Sequence, residues 1–141
     1  MNILVTGFKG QLGFDILNEL TKRNIKCSGV DINALDLTDE NEVKNFLNDN
    51  KWTHIIHCAA YTDVDKAESC VDLCRKVNVD ETRYLVEQCR KYNMPMMYFS
   101  TDYVYGGEGN ETYKVGDQIN PLDVYAKTKY KGELEIFKLD K

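Results

Sequence analysis

An apolar strand that runs into three glycines, each separated by two residues, and then into a helix leaves a chain few folds to choose from. Asn2-Ile-Leu-Val-Thr6 is followed by Gly7-Phe-Lys-Gly10-Gln-Leu-Gly13 and a helical-periodic segment to about Lys22, with Ile16, Leu17 and Leu20 facing inward. A continuous apolar run of this length fits a strand buried on both faces of a parallel sheet. Gly7 permits the sharp exit from the strand, Gly10 lets the backbone approach a pyrophosphate, and Gly13 lets the helix pack closely on the strand. The helix N-terminus then faces the phosphates. The spacing is Gly-x-x-Gly-x-x-Gly rather than the Gly-x-Gly-x-x-Gly of the dinucleotide fingerprint. Its place directly between the first strand and the first helix argues for a dinucleotide over a purely structural turn.

The alternation continues. A second strand, about Lys26 to Val30, ends at Asp31, 18 residues after Gly13. A carboxylate there suits a hydrogen bond to an adenosine ribose hydroxyl and repels a 2′-phosphate, which leans toward NADH; the plainer reading is a loop aspartate capping a turn. Asp36 can meet the adenine amino group, and Thr38 or Asp39 can cap a helix running to about Asn50. Thr53 to Cys58 reads as a third strand, left through the small residues Ala59 and Ala60 and then Tyr61. His54 and His57 within it read as structural. A long helical region, Asp65 to Tyr92, breaks near Ser69 and carries Asn78 among apolar neighbours, either as a polar buttress for a site or as a partly exposed residue. Pro95 to Phe99 is the fourth strand and ends in Ser100-Thr101-Asp102-Tyr103. The glycine-rich run Tyr105 to Gly109 and the polar segment to Asn120 form a long loop. Pro121 then starts a last helix as an N1 proline. This β-α-β-α-β-α-β-loop-α order is met most simply by a Rossmann-like α/β fold, a doubly wound parallel sheet with helices on both faces.

Composition narrows the function. With 141 residues, the chain suits one domain with a real core. A formal net charge of −5 gives no basic surface for nucleic acid or anionic membrane. Five cysteines, without a Cys-x-x-Cys pair or a histidine cluster, read as reduced thiols of a cytoplasmic protein. No signal peptide and no apolar run of about 18 residues stands in the chain, so a soluble, non-exported protein is expected.

On the last helix Tyr125 and Lys129 are four residues apart and share a face, whereas Lys127 points elsewhere. An ammonium fixed beside a phenol lowers the phenol pKa and makes it a usable proton donor near neutral pH. Thr101 and Ser100 end the fourth strand, where doubly wound sheets open toward ligands.

Together, Gly7-x-x-Gly10-x-x-Gly13, Ala59-Ala60-Tyr61-Thr62, Ser100-Thr101-Asp102-Tyr103-Val104 and Tyr125-x-x-x-Lys129 resemble the extended short-chain dehydrogenase/reductase family. Ala60-Tyr-Thr-Asp-Val-Asp-Lys-Ala-Glu68 and Asn120-Pro-Leu-Asp-Val-Tyr125 are most similar to its branch that reduces dTDP-4-dehydrorhamnose. Asp63, where that branch often has a small residue, and Tyr105, where it usually has Phe, are mild departures. The resemblance implies hydride transfer from NADH or NADPH to C4 of a nucleotide sugar, with Thr101, Tyr125 and Lys129 catalytic. It places Gly7, Lys9, Gly10, Gln11, Leu12, Gly13, Asp31, Asp36, Leu37, Ala59, Ala60, Tyr61, Asn78, Ser100, Tyr125 and Lys129 against the cofactor. It sets Asp65, Glu68, Thr101, Asp102 and Tyr103 toward the sugar. It further implies a possible homodimer, a Mg2+ for which no site is visible in the sequence, and a C-terminal sugar-nucleotide-binding domain that this chain lacks. The rival readings are another extended family member, such as a nucleotide-sugar epimerase, and a non-catalytic NAD(P)-binding regulatory subunit. A dehydratase would favour an acidic pair after the threonine, and here Asp102 is followed by Tyr103.

Overall fold

In the computed structural model, which describes residues 1–49, 51–107 and 112–139, four short strands form one parallel sheet. They are β1 (Ile3–Thr6), β2 (Cys27–Val30), β3 (His54–His57) and β4 (Met96–Tyr98), in the order β2-β1-β3-β4. All four residues of β1 are buried, as the continuous apolar run requires of a central strand. The register pairs Thr6 with both Val30 and His57, and His57 with Tyr98, so the four carboxyl ends lie level.

The helices are α1 (Gln11–Lys22), α2 (Glu40–Asp49), α3 (Val64–Ala67), α4 (Val71–Arg75), α5 (Glu81–Tyr92) and α6 (Val124–Ile136). The chain winds one way from β1 to β2 and the other way from β1 to β3 and β4. With right-handed crossovers, that reversal puts α1 on one face of the sheet and α2, α5 and α6 on the other. Accordingly α5 packs against both α2 and α6. Leu4, Val30 and Ile55 of the sheet meet Leu35, Leu37, Val43, Leu47, Leu85, Cys89 and Met94 in one core. All five cysteines are free thiols, and no helix among the described residues is long and apolar enough to cross a membrane.

Two local details depart from the sequence reading, and a third fills in an expected loop. The helical region after β3 does break at residues 68–70, but between α4 and α5 it continues as a π-helical turn, Lys76–Asp80. That wider turn carries Asn78, and π-turns within helices recur at functional sites. Pro121 does not open the last helix. Asp123 is the N-cap, its carboxylate accepting from Ala126 N at 2.7 Å, and the Glu68 carboxylate accepts from Val124 N at 2.8 Å. Two acceptors satisfy two otherwise unpaired N–H groups, which fixes the start of α6 at Val124, three residues after Pro121. The loop expected after Val104 is tied at its described ends by Asn120 N donating to Val104 O, at 2.9 Å, and by stacked Tyr105 and Tyr113 rings. Residues 108–111 of that loop, and Asn50 at the expected end of α2, lie outside the described residues.

Candidate active site

The residue that follows each strand is Gly7, Asp31, Cys58 and Phe99, and all four line one cavity of about 610 Å³ over the carboxyl ends of the sheet. It sits where the winding reverses between β1 and β3, the switch point at which such sheets bind ligands. Its floor is the glycine turn. Gly7 has φ +65°, and a Cβ there would lie 2.6 Å from the Ala59 nitrogen; a Cβ on Gly13 would lie 2.4 Å from the Gly7 oxygen. Only glycine satisfies either position. Gly10 caps α1 without a side-chain hydrogen bond, so the first N–H groups of α1 are left for a ligand. This cradle fits a pyrophosphate, and the cavity is long enough in its lining, from Asp31 to Tyr125 and Lys129, for a whole dinucleotide.

At one end the Asp31 carboxylate is ion-paired with the Lys9 ammonium and accepts from Asn33 N at 3.3 Å. The lysine holds the Asp31 carboxyl below the usual carboxylate range. Asp36 and Leu37 line the same end, but an Asp36 oxygen is already engaged by Thr38, accepting from its N at 2.8 Å and its hydroxyl at 2.7 Å.

A buried polar network supports the middle. Ala59 N donates to Thr6 Oγ1 at 3.3 Å, which leaves the Thr6 hydroxyl to donate to His57 Nδ1 at 2.7 Å. Thr82 Oγ1 donates to Asn78 O at 3.0 Å and so accepts from His57 Nε2 at 3.3 Å. The network therefore assigns His57 as the neutral tautomer with the proton on Nε2. Burial, and then the nearby Lys129 charge, push its pKa down to about 3, in keeping with a structural role. Asn78 is 2% exposed and resolves the earlier alternative in favour of a buttress. Its Oδ1 accepts from Tyr61 N at 2.8 Å, and its Nδ2 donates to Tyr61 O at 3.2 Å and Thr128 Oγ1 at 3.0 Å. Asn78 is not among the cavity-lining residues; it clamps the Tyr61 peptide and so positions Ala59 and Ala60, which are. Tyr61 itself does not line the cavity either.

At the other end, Tyr125 and Lys129 come together with Ser100 on the cavity wall. The Thr101 hydroxyl lies beside the Tyr125 phenol, donates to Asp102 Oδ1 at 3.3 Å and accepts from Tyr103 N at 3.2 Å. The Tyr103 ring meets the Tyr125 ring edge-on, with centroids 6.0 Å apart. The Ser100 hydroxyl donates to the Glu133 carboxylate. Tyr103 and Asp102 are exposed at the mouth, beside Tyr125. Asp65, also expected near the sugar, is exposed on α3 and outside the cavity lining, and Glu68 is engaged as the second cap of α6.

The expected electrostatic coupling between Lys129 and Tyr125 is corrected by the structure. Lys129 is 3% exposed, and its Nζ lies over the Tyr98 ring at 4.1 Å from the centroid. Burial lowers its pKa to about 8. The Tyr125 pKa is raised, chiefly by burial, with the Thr101 hydroxyl opposing and the Asp102 charge adding to the rise. Helical spacing puts the two residues on one face, as read from the sequence, but the aromatic ring of β4 takes the ammonium. Lys127 is exposed, as expected.

Several lining residues escaped the sequence reading: Ile32, Leu35, Thr62, Val77, Glu81 and Phe99. Glu81 had a signal, because it stands three residues after Asn78 and four before Leu85, on the inward face of its helix. Among the described residues, no group of three or more His, Cys, Asp or Glu side chains could hold a metal ion.

Residues 1–141 match the family described as RmlD substrate binding domain. The dTDP-4-dehydrorhamnose reductase of Aggregatibacter actinomycetemcomitans is 38% identical over 132 residues, covering 93% of this chain and 45% of that protein. The crystal structure of a dTDP-4-dehydrorhamnose reductase from Clostridium acetobutylicum superposes with a TM-score of 0.95 at 37% identity, over 99% of this chain and 50% of that one. The enzyme of that name from Bacillus anthracis, solved in complex with NADP, gives a TM-score of 0.93 at 33% identity, again over 99% and 50%. The chain thus spans about half the length of the relatives it matches. Matched by that family over its whole length and superposing on these structures, the chain belongs to the RmlD family, that of the dTDP-4-dehydrorhamnose reductases.

Proposed function

We propose that this chain is the cofactor-binding half of an NAD(P)H-dependent reductase that converts dTDP-4-dehydro-L-rhamnose to dTDP-L-rhamnose. The observation that carries the reading is Tyr125 standing with Lys129 on the same cavity as the Gly7 cradle, with Thr101 beside the Tyr125 phenol. A reduced nicotinamide bound in that cavity supplies the hydride. Gly7, Gly10, Gly13 and the N–H groups of Gln11 and Leu12 hold the pyrophosphate, and Asp31 takes the adenosine ribose. Tyr125, whose raised pKa keeps it protonated at neutral pH, donates its proton to the carbonyl oxygen as negative charge develops there. Thr101 donates a hydrogen bond to the same oxygen, a contribution of about 3 kcal/mol for a well-placed oxyanion donor. Lys129 holds the nicotinamide ribose.

At the ribose corner Asp31 favours a free 2′-hydroxyl, and its partner Lys9 can meet a 2′-phosphate, so both cofactors are accommodated with NADH preferred. The sugar nucleotide is held mostly by a region corresponding to the other half of the relatives, with Asp102 and Tyr103 supplying contacts from this half.

The test is turnover of dTDP-4-dehydro-L-rhamnose. The 141-residue chain alone should bind reduced cofactor weakly and turn over little. Joined to a region matching the remaining half of its relatives it should be active, and Tyr125→Phe should remove turnover while sparing cofactor affinity. Unchanged turnover in that variant rejects the acid assignment. Cofactor binding without turnover in the joined protein favours a regulatory subunit.

A further inference from the structure

Two hydroxyls reach from the end of the sheet to one face of the last helix. Tyr98 donates to the Lys129 carbonyl oxygen, and two residues on, Ser100 donates to the Glu133 carboxylate. Lys129 and Glu133 are four residues apart and so share a face of α6. Gly132 lets the helix come this close: a Cβ there would lie 2.7 Å from the Asn78 carbonyl oxygen. Glu135 spends its charge on Lys138 of its own helix end, whereas Glu133 turns to the segment that leaves β4.

Ser100 lines the cavity at the end that holds Tyr125 and Lys129, and Glu133 stands behind it, outside the lining. Thr101, the next residue, has its hydroxyl beside the Tyr125 phenol. The tie between Ser100 and Glu133 is therefore one residue from Thr101 and one helical turn from Lys129, where the two sides of the site meet.

We infer that Glu133 is a positioning residue: by accepting from the Ser100 hydroxyl it holds the segment with Ser100 and Thr101 against the helix that carries Tyr125 and Lys129. This inference rests on the cofactor reading above. A carboxylate offers only acceptors, so it commits the single Ser100 proton and leaves that hydroxyl to a ligand as an acceptor. The bond is charge-assisted, the stronger kind, and it orders the nicotinamide end of the cavity before the ligand arrives.

The experiment is equilibrium binding of NADH and of ADP to the chain and to its Glu133→Ala, Glu133→Gln, Ser100→Ala and doubly substituted Ser100→Ala, Glu133→Ala variants. ADP fills the cradle and the Asp31 end but carries nothing that reaches Ser100. The Glu133 charge also acts on Lys129, against the effect of burial. Work at pH 6, below the Lys129 pKa of about 8, keeps that ammonium charged in every protein. Glu133→Ala should weaken NADH about tenfold, the factor for one lost charge-assisted hydrogen bond, and leave ADP unchanged. Glu133→Gln keeps an acceptor for Ser100 and should restore most of the NADH affinity. In the Ser100→Ala background, Glu133→Ala should cost nothing further.

Unchanged NADH affinity in Glu133→Ala, or a loss shared equally by ADP, would overturn the assignment while leaving the cofactor reading intact. So would a glutamine variant as weak as the alanine one, or losses that add across the two residues. If the unsubstituted chain binds no NADH, the cofactor reading fails and this inference fails with it.

Discussion

Lys129 holds its ammonium 4.1 Å from the centre of the Tyr98 ring, and the Tyr98 hydroxyl donates in return to the Lys129 carbonyl oxygen at 3.2 Å. The strand thus holds the helix at the residue that matters most to the site. Gly132, one turn further on, makes the approach possible: a Cβ there would meet the Tyr98 hydroxyl oxygen at 2.3 Å.

The buried Lys129 charge works against stability. Its folded pKa of about 8 lies below the ordinary lysine value, so folding disfavours the proton. Stability from this group is present above the unfolded pKa and is lost as pH falls toward 8. Lys129→Met should therefore be more stable than the unsubstituted chain at pH 7, by about 1–3 kcal/mol, while losing cofactor affinity. The gain should shrink between pH 8 and 10.5. Urea denaturation across that range checks both the sign and the window; a less stable methionine variant at pH 7 rejects the electrostatic reading.

His57 should behave as a neutral core residue. Nitrogen NMR is expected to show the proton on Nε2 at pH 7 and no titration above about pH 4, given a pKa near 3. Because that pKa is depressed, the stability it confers is present above the ordinary histidine value and declines as pH falls toward 3. A titration in the ordinary histidine range contradicts the Thr6–His57–Thr82 network.

Asn78→Ala should cost about 2–4 kcal/mol, since it strips partners from the Tyr61 peptide and leaves Thr128 short of a donor. It should also weaken dinucleotide binding, because Ala59 and Ala60 lose their support. Chemical denaturation and a binding titration measure the two effects; a loss of stability below ~1 kcal/mol would deny the clamp.

Asp31→Asn removes the charge that opposes a 2′-phosphate and leaves Lys9 unpaired at that corner. The ratio of NADPH to NADH affinity should rise about tenfold, read by competitive titration of the two cofactors. An unchanged ratio places the ribose elsewhere.

Much of this was legible in the sequence because local rules decide it. The apolar run of β1 and the glycines at 7, 10 and 13 have one comfortable geometry between a strand and a helix, and the level strand ends follow from parallel pairing. The spacing of Tyr125 and Lys129 likewise put them on one face. What escaped was set by tertiary contacts. Where Lys129 sends its ammonium depends on a ring contributed by β4, 31 residues away in sequence. The start of α6 depends on Glu68, from a different helix pair, rather than on Pro121. Glu81 received no site reading from the sequence, because its burial on the cavity wall is set by how α5 packs rather than by its neighbours in the chain.

The central claim is that the cavity over the strand ends holds a dinucleotide on the Gly7–Gly13 cradle. Amide chemical-shift mapping of the chain during titration with NADH tests it most directly. The account predicts saturable shifts concentrated at Gly7 to Gly13, Asp31, Ala59 to Tyr61 and Tyr125 to Lys129. Absence of binding at millimolar NADH, or saturable shifts confined to another surface, would contradict it.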